Sequence, residues 1–131
     1  MSRDRVETVR RLYERFAATR QLPPEPFAGD FVWDMSTFRG WLESPTYAGL
    51  ERANEFLGDW IGIWDDWEVV LEELHDAGDE VVLIACQRGR AKASGEPLEM
   101  RYGQVWRFRG EQLIRTETYS DPAEAIEAAG L

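Results

Sequence analysis

The amino-acid sequence predicts an α+β fold in which helices come first and a curved antiparallel sheet follows. Apolar residues recur every three or four positions in the first half of the chain, and every second position from Asp66 onward. These are the repeat lengths of a helix and of a strand that each bury one face. Short glycine-containing turns divide the second half into consecutive strands, which predicts a meander of four to five strands wrapped around the N-terminal helices.

The first helix is predicted over Ser2–Thr19. Its apolar positions share one helical face, and they are Val6, Val9, Leu12 or Tyr13, and Phe16. Three prolines between positions 23 and 26 then leave room for at most a turn or two of further helix. A short strand is expected over 31–35. The stretch 36–48 has no sustained period and predicts a loop long enough to shape a site.

A second helix is predicted to begin after Gly49 and to present Trp60 and Trp64 on its buried face. Four antiparallel strands follow, over 67–75, 79–92, 97–109 and 112–119. Asp121 and Pro122 then supply an N-cap and a favourable first helical residue, which predicts a short final helix.

Length and composition limit the classes of function. The 131 residues are the size of one ordinary domain, so we expect a single domain over 1–131. A net charge of −10 would repel phosphate backbones, which argues against nucleic-acid binding. One cysteine, Cys86, and one histidine, His75, cannot form a zinc cage, and no glycine-rich phosphate loop occurs, so we expect neither metal nor cofactor. No apolar run is long enough to span a membrane, and we expect a cytoplasmic protein.

The turn at Gly110 and Glu111 predicts which side chains of the last hairpin share a face. A two-residue turn there pairs Phe108 with Leu113, and directly paired residues point the same way. The residues that this register places on the inner face are Tyr102, Gln104, Trp106, Arg115, Glu117 and Tyr119, with Leu83 from the preceding strand.

The opposite, outer face is expected to be apolar at its centre, because Val82, Ile84 and Val105 meet there. Large exposed apolar patches are uncommon on monomers, so we expect this face to be covered by a second copy of the chain in a homodimer. In the first strand of the meander, a bulge over 76–79 would turn Trp67 to the inner face.

The inner face offers candidate groups for acid–base chemistry. Asp34 lies at the end of the first strand, where surrounding indoles would raise its pKa and make it a candidate general base. Gln104 and Tyr102 can donate hydrogen bonds to an oxygen that gains charge, and Glu117 is a further candidate. The alternative for Glu117 is a simple ion pair with Arg115. The residues expected to line the pocket are Trp33, Trp41, Phe56, Trp60, Trp64, Leu83, Trp106, Arg115 and Tyr119.

The chain resembles the SnoaL-like and ketosteroid-isomerase-like branch of the nuclear transport factor 2-like superfamily. The segments that carry the resemblance are Tyr47-Ala48-Gly49, Trp60, Ala77-Gly78-Asp79, Trp106-Arg107-Phe108 and the tail 119–131. The resemblance covers essentially the whole chain. It implies a cone-shaped α+β barrel with a deep apolar pocket, and a dimer formed through the outer sheet face.

The resemblance also assigns positions in the site. It implies a general-base aspartate at Asp34 and places Gln104 where the isomerases have an acidic hydrogen-bond donor. The first-helix tyrosine of the family falls on Leu12, with Tyr13 one residue further and therefore turned about 100° away. Arg101 lacks the aspartate two residues on that the epoxide-hydrolase branch requires, which disfavours that chemistry.

Two functions stay open at this stage. The first is a domain that binds a small hydrophobic ligand and acts without a cofactor as an isomerase, cyclase or lyase on a carbonyl-type substrate. The second is a non-catalytic ligand-binding or dimeric interaction module, because the same scaffold carries unrelated functions.

Overall fold

The computed structural model describes residues 2–41 and 43–131, with the side chains of the first helix described from residue 4 onward. The three helices are α1 (Ser2–Thr19), α2 (Leu50–Gly62) and α3 (Pro122–Ala128). The six strands are β1 (Phe27–Asp34), β2 (Thr46–Ala48), β3 (Trp64–Ala77), β4 (Glu80–Ala91), β5 (Pro97–Arg109) and β6 (Gln112–Tyr119). The predicted α+β class is confirmed.

The six strands form one sheet in the order β2-β1-β6-β5-β4-β3. Strands β3 to β6 are the predicted antiparallel meander. The early strand β1 extends this meander by pairing in parallel with β6, and β2 pairs antiparallel with β1. The sheet therefore has six strands instead of the expected four or five. In the part of the chain that the structure describes, the edge strands β2 and β3 do not pair, so the sheet is not closed.

The main core lies between the inner face of the sheet and the helices α1 and α2. Trp106 is fully buried at its centre, and the rings of Trp33 and Tyr13 meet it edge-on at 6.0 and 6.2 Å. Edge-to-face packing places the positive ring edge against the negative ring face. None of the helices in 2–41 and 43–131 is long and apolar enough to cross a membrane.

The second helix ends earlier than predicted. Helix α2 stops at Gly62, and Trp64 begins β3, where it pairs with Ala91 of β4. Trp64 is only 5% exposed, so its indole is buried as part of the sheet and not as part of the helix. Trp67 is buried in the core, as the sequence suggested. The pairing of β3 with β4 is irregular over 65–68 and 71–73, and it is regular over 76–77, so the bulge considered over 76–79 is not the cause.

Helix α3 covers the apolar centre of the outer face. Ala125 packs with Val82, Ile84 and Val105 in a second, smaller cluster of buried residues. Asp121 caps this helix by accepting a hydrogen bond from the Ala123 amide at 3.0 Å, as its sequence predicts. The apolar patch on which the homodimer expectation rested is thus covered by the chain itself, and the homodimer stays a prediction.

The close contact of α3 with β5 depends on a missing side chain. A Cβ atom built on Gly103 would lie 2.7 Å from the Ala125 Cβ and 3.0 Å from the Pro122 Cα. Gly103→Ala should therefore push α3 outward and lower the free energy of unfolding by about 1–3 kcal/mol, as overpacking does. Urea unfolding measures this change.

The matched control is Gly58→Ala. Gly58 lies within α2, and a Cβ there meets nothing within 4 Å. Because alanine favours helix more than glycine does, this variant should gain about 0.5–1 kcal/mol. Equal effects of the two substitutions would contradict the packing of α3 on Gly103.

Candidate functional site

One unpaired residue of β6 determines which side chains of that strand face the core. Phe108 pairs with Leu113, as predicted, but Arg107 pairs with Arg115. Ile114 is left without a partner, and this β-bulge shifts the register by one residue. Because successive side chains of a strand alternate between faces, the shift reverses the orientation of every later residue of β6.

The reversal corrects the predicted inner face. Trp106 and Gln104 pair with Thr116 and Thr118, so these two threonines lie on the inner face. Arg115, Glu117 and Tyr119 lie on the outer face, where they pair with Arg107, Val105 and Gly103, respectively. The expectation that Arg115 and Tyr119 line the pocket, and that Glu117 acts in it, is wrong because of this bulge.

Asp34 also lies on the outer face, because it pairs with Glu117 in the parallel register of β1 and β6. The residue is 2% exposed, and its carboxylate accepts a hydrogen bond from the Ser36 amide at 2.8 Å. Its other oxygen lies 2.5 Å from Nη2 of Arg115. The structure therefore places the candidate base outside the cavity, in contact with a fixed cationic partner.

The pKa of Asp34 follows from these contacts. Burial by itself would raise the pKa, but the hydrogen bonds from Ser36 and the Arg115 guanidinium together lower it below its ordinary value. The expected rise in the pKa of Asp34 is therefore wrong, and at neutral pH this group is an ionised and paired carboxylate.

The remaining outer-face charges continue this ion pair across the sheet. Glu117 lies 3.6 Å from Nε of Arg115 and 3.0 Å from Nη2 of Arg107. Arg107 in turn lies 2.5 Å from Glu80. The alternative that Glu117 serves in an ion pair is the arrangement the structure shows, with Arg107 as the closer partner.

A small cavity of about 50 Å³ lies against the inner face. It lies among α1, α2, the loop after β1 and the inner face of the sheet. Its lining residues are Tyr13, Phe16, Trp33, Met35, Phe38, Trp41, Phe56, Leu57, Trp60, Trp67, Gln87, Met100, Tyr102, Gln104 and Thr118. The residues that the sequence predicted among these are Trp33, Trp41, Phe56, Trp60, Tyr102 and Gln104. Trp64, Leu83 and Trp106 belong to the surrounding core but do not line the cavity.

Two phenols meet in the cavity. The hydroxyl groups of Tyr13 and Tyr102 form a short hydrogen bond. Burial raises the pKa of both phenols, and their proximity raises that of Tyr13 further. Both groups are therefore protonated hydrogen-bond donors at neutral pH. Tyr13 lines the cavity and meets Tyr102 there, so the expectation that Tyr13 turns away from the site is wrong.

Two glutamine amides complete the polar part of the cavity. The amide oxygen of Gln104 accepts a hydrogen bond from the Trp106 indole at 3.0 Å, and its nitrogen donates to Thr118 at 3.3 Å. The amide oxygen of Gln87 accepts from two indoles, those of Trp60 and Trp67, each at 3.0 Å.

A larger, open groove of about 760 Å³ lies directly outside the cavity. The two spaces share Trp41, Phe56 and Trp60, which therefore separate them. The Trp41 ring centroid lies 5.4 Å from that of Phe56 and 6.2 Å from that of Trp60. The predicted loop thus does shape the site, since it supplies the Trp41 indole.

Nine lining residues were not among the predicted site residues, and three of these, Tyr13, Gln87 and Thr118, carry a hydroxyl or amide group. Tyr13 could have been found from the helix period, because it follows Val9 by four positions. Gln87 could have been found from strand alternation, which places it on the face of Leu83. No signal in the sequence places Thr118 on the inner face, because its orientation follows from the bulge.

The family assignment agrees with this geometry. The SnoaL-like domain family matches residues 9–116. The chain therefore belongs to the SnoaL-like domain family, as the resemblance implied. No curated protein matches the chain.

Solved structures share the fold at low sequence identity. Bal32a, from a soil-derived mobile gene cassette, is 21% identical with a TM-score of 0.70 over 86% of this chain and 85% of that chain. A protein with a ketosteroid isomerase-like fold from Catenulispora acidiphila DSM 44928, in complex with trimethylamine, is 20% identical with a TM-score of 0.65 over 92% of each chain. TerC, co-crystallised with polyporic acid, is 18% identical with a TM-score of 0.59 over 80% of this chain and 81% of that chain.

The ion pair of Asp34 should be visible in the pH dependence of stability. Asp34→Asn removes the charge that faces Arg115 and should lower the free energy of unfolding by about 1–3 kcal/mol at neutral pH. Because the folded-state pKa is lowered, this stabilisation is present above the unfolded-state pKa and is lost as the pH falls through the folded-state pKa. Urea unfolding across an acidic pH series should therefore show the two proteins converging as the pH falls below the ordinary aspartate pKa of about 3.9 and on through the lowered folded-state pKa.

Asp30→Asn is the control for this measurement. Asp30 pairs with Arg109 at 2.9 Å, but both side chains are exposed. Exposed ion pairs contribute little, so this variant should differ only slightly from the original protein at every pH. A loss at Asp34 that persists unchanged in acid would show that its charge is not the stabilising group.

Proposed function

We propose that the chain binds a small, uncharged and mostly apolar molecule in the cavity beneath α1 and α2. The observation that carries this proposal is the character of the lining. Among the lining residues that the structure describes, all are aromatic, aliphatic, thioether, hydroxyl or amide groups, with no carboxylate or cation. An apolar site with a few polar groups favours a ligand of matching character, because a charged ligand would lose its hydration without gaining a counter-ion.

Entry of such a ligand requires movement of the aromatic residues that separate cavity and groove. A volume of about 50 Å³ holds water-sized molecules only, whereas ligand sites usually measure about 300–1,000 Å³. The groove outside is already of that size. Displacement of the Trp41 indole joins the two spaces without disturbing the sheet, because Trp41 lies in a loop.

A catalytic role is a second candidate, and one observation favours it. The Tyr13 and Tyr102 hydroxyl groups lie together in the cavity beside Gln104, so a ligand carbonyl could receive hydrogen bonds from more than one donor. Such donors stabilise an oxygen that gains negative charge. The phenols are donors instead of bases at neutral pH, and Asp34 lies outside the cavity. The chain's own residues therefore support carbonyl polarisation better than proton abstraction.

The structural neighbours support a ligand-binding role for the fold. The Catenulispora protein was crystallised with trimethylamine, and TerC with polyporic acid. Both are small organic molecules. We extend to this chain only the capacity of the scaffold to enclose such a molecule, since the sequence identities are 20% and 18%.

Replacement of Trp41 tests the binding function and its entry route together. 4-Ethylacetophenone is a suitable probe, because it is flat, uncharged and carries one carbonyl. Trp41→Ala should accelerate association of the probe by about tenfold. In this variant the cavity and the groove are joined without any displacement of an indole. Stopped-flow tryptophan fluorescence measures the rate, and equilibrium titration gives the affinity.

Ile63→Ala is the matched control. Ile63 lines the groove but not the cavity, and it is 56% exposed, so the association rate should stay unchanged. The absence of probe binding to both the original protein and Trp41→Ala would overturn the binding function. Binding at equal rates to both proteins would overturn the entry route alone.

A further inference from the structure

The amide of Gln87 has only one orientation that satisfies its neighbours. Gln87 is 6% exposed, and one of its side-chain atoms receives hydrogen bonds from the indoles of Trp60 and Trp67, each at 3.0 Å. An indole N–H can donate a hydrogen bond but cannot accept one. The atom that faces both indoles must therefore be the amide oxygen, and the NH₂ group must point the other way.

This orientation leaves the Gln87 NH₂ group poorly partnered. Its nitrogen lies 3.4 Å from the thioether sulfur of Met100, which is a weak acceptor. Both Gln87 and Met100 line the cavity. A buried N–H group without a good acceptor costs free energy, so an acceptor that enters the cavity at this point gains a strong hydrogen bond at little cost.

An indole donor also fixes the orientation of the Gln104 amide. The oxygen of Gln104 accepts from the Trp106 indole at 3.0 Å, so its NH₂ group must be the part that faces Thr118. One N–H of this group is bonded to the threonine hydroxyl, and the other has no partner among the hydrogen bonds of the described side chains. Indole donors thus orient both amides so that their oxygens are occupied and their NH₂ groups point towards two other lining residues, Met100 and Thr118.

The two amides lie at opposite ends of a row along β5. Gln87 pairs with Met100, and Gln104 follows Met100 by four residues on the same strand. Four residues of strand span about 13 Å. Tyr102 lies between them on the same face and supplies the phenol pair with Tyr13. The row therefore presents hydrogen-bond donors at both ends and phenols in the middle.

From this geometry we infer that the cavity selects a flat, apolar molecule with an acceptor oxygen of carbonyl type at each of two opposite ends. One oxygen binds beside Gln104 and Tyr102, and the other binds the NH₂ group of Gln87. Gln87 is then a specificity-determining residue. This inference rests on the proposed binding function and deepens it by naming the ligand class.

Three probes of nearly equal shape test the inference. 1,4-Diethylbenzene carries no acceptor, 4-ethylacetophenone carries one carbonyl, and 1,4-diacetylbenzene carries two. Each added carbonyl should tighten binding by about fivefold, the value of one net hydrogen bond. Isothermal titration and tryptophan fluorescence give the dissociation constants.

Gln87→Glu isolates the contribution of the NH₂ group. At a pH that ionises the new glutamate, its carboxylate keeps an oxygen that accepts from both indoles and replaces the donor by a second acceptor that repels a carbonyl. The variant should bind 1,4-diacetylbenzene no more tightly than 4-ethylacetophenone. The indole N–H signals of Trp60 and Trp67 in NMR spectra report whether the local hydrogen bonds survive. Gln87→Met, which removes both donor and acceptor, is the second variant if the charged one fails to fold, and it should lose the same preference.

Gln112→Glu is the matched control, because Gln112 is an exposed residue of β6 and the same charge is added there. It should keep the full preference for two carbonyls. If 1,4-diethylbenzene binds as tightly as 1,4-diacetylbenzene, the binding function stands and the acceptor selectivity is overturned. If Gln87→Glu keeps the preference while its indole signals are unchanged, the role of Gln87 is overturned. If none of the three probes binds, the proposed function itself fails.

Discussion

The unpaired residue Ile114 is the constraint on which the chemistry of the cavity depends. A β-bulge reverses the alternation of side chains beyond it. In β6 this reversal places Thr116 and Thr118 on the inner face, and Arg115 and Glu117 on the outer face. With regular pairing, two charged side chains would face an aromatic interior. One extra residue therefore removes charge from the cavity and leaves a hydroxyl group in its wall.

The same shift assembles the charges where they can be stabilised. On the outer face Arg115 contacts Asp34 and Glu117, and Glu117 contacts Arg107. A buried charge is costly unless a partner and hydrogen bonds compensate for the lost hydration. Asp34 has both, since the Ser36 amide and the Arg115 guanidinium contact its two oxygens. Its low pKa and its distance from the cavity have one cause, which is its place on the outer face.

The local pattern of the sequence predicts the first and last helices, the hairpin turns and the register of the β4–β5 ladder, but not the end of α2. Periodicity places Val9 and Phe16 in the core, and strand alternation places Tyr102, Gln104 and Leu83 on one face. The bulge at Ile114 does not follow, because its neighbours include charged and β-branched residues that suit either face of a strand. The parallel pairing of β1 with β6 is a contact between distant segments, and no local pattern encodes it. The face of the sheet on which each side chain lies was predicted correctly where it depended on alternation alone, and wrongly where it depended on one inserted residue.

The neutral cavity also explains why indoles, and not charges, orient its polar groups. An ion pair near Gln87 would need compensation that an aromatic wall does not supply. An indole brings a single donor on a large apolar ring, so Trp60, Trp67 and Trp106 can fix two amides while filling the interior. The amide oxygens are satisfied within the protein, whereas the Gln87 NH₂ group meets only the sulfur of Met100. The cavity therefore holds a hydrogen-bond donor without a good acceptor, and a ligand with acceptor oxygens supplies the missing partner.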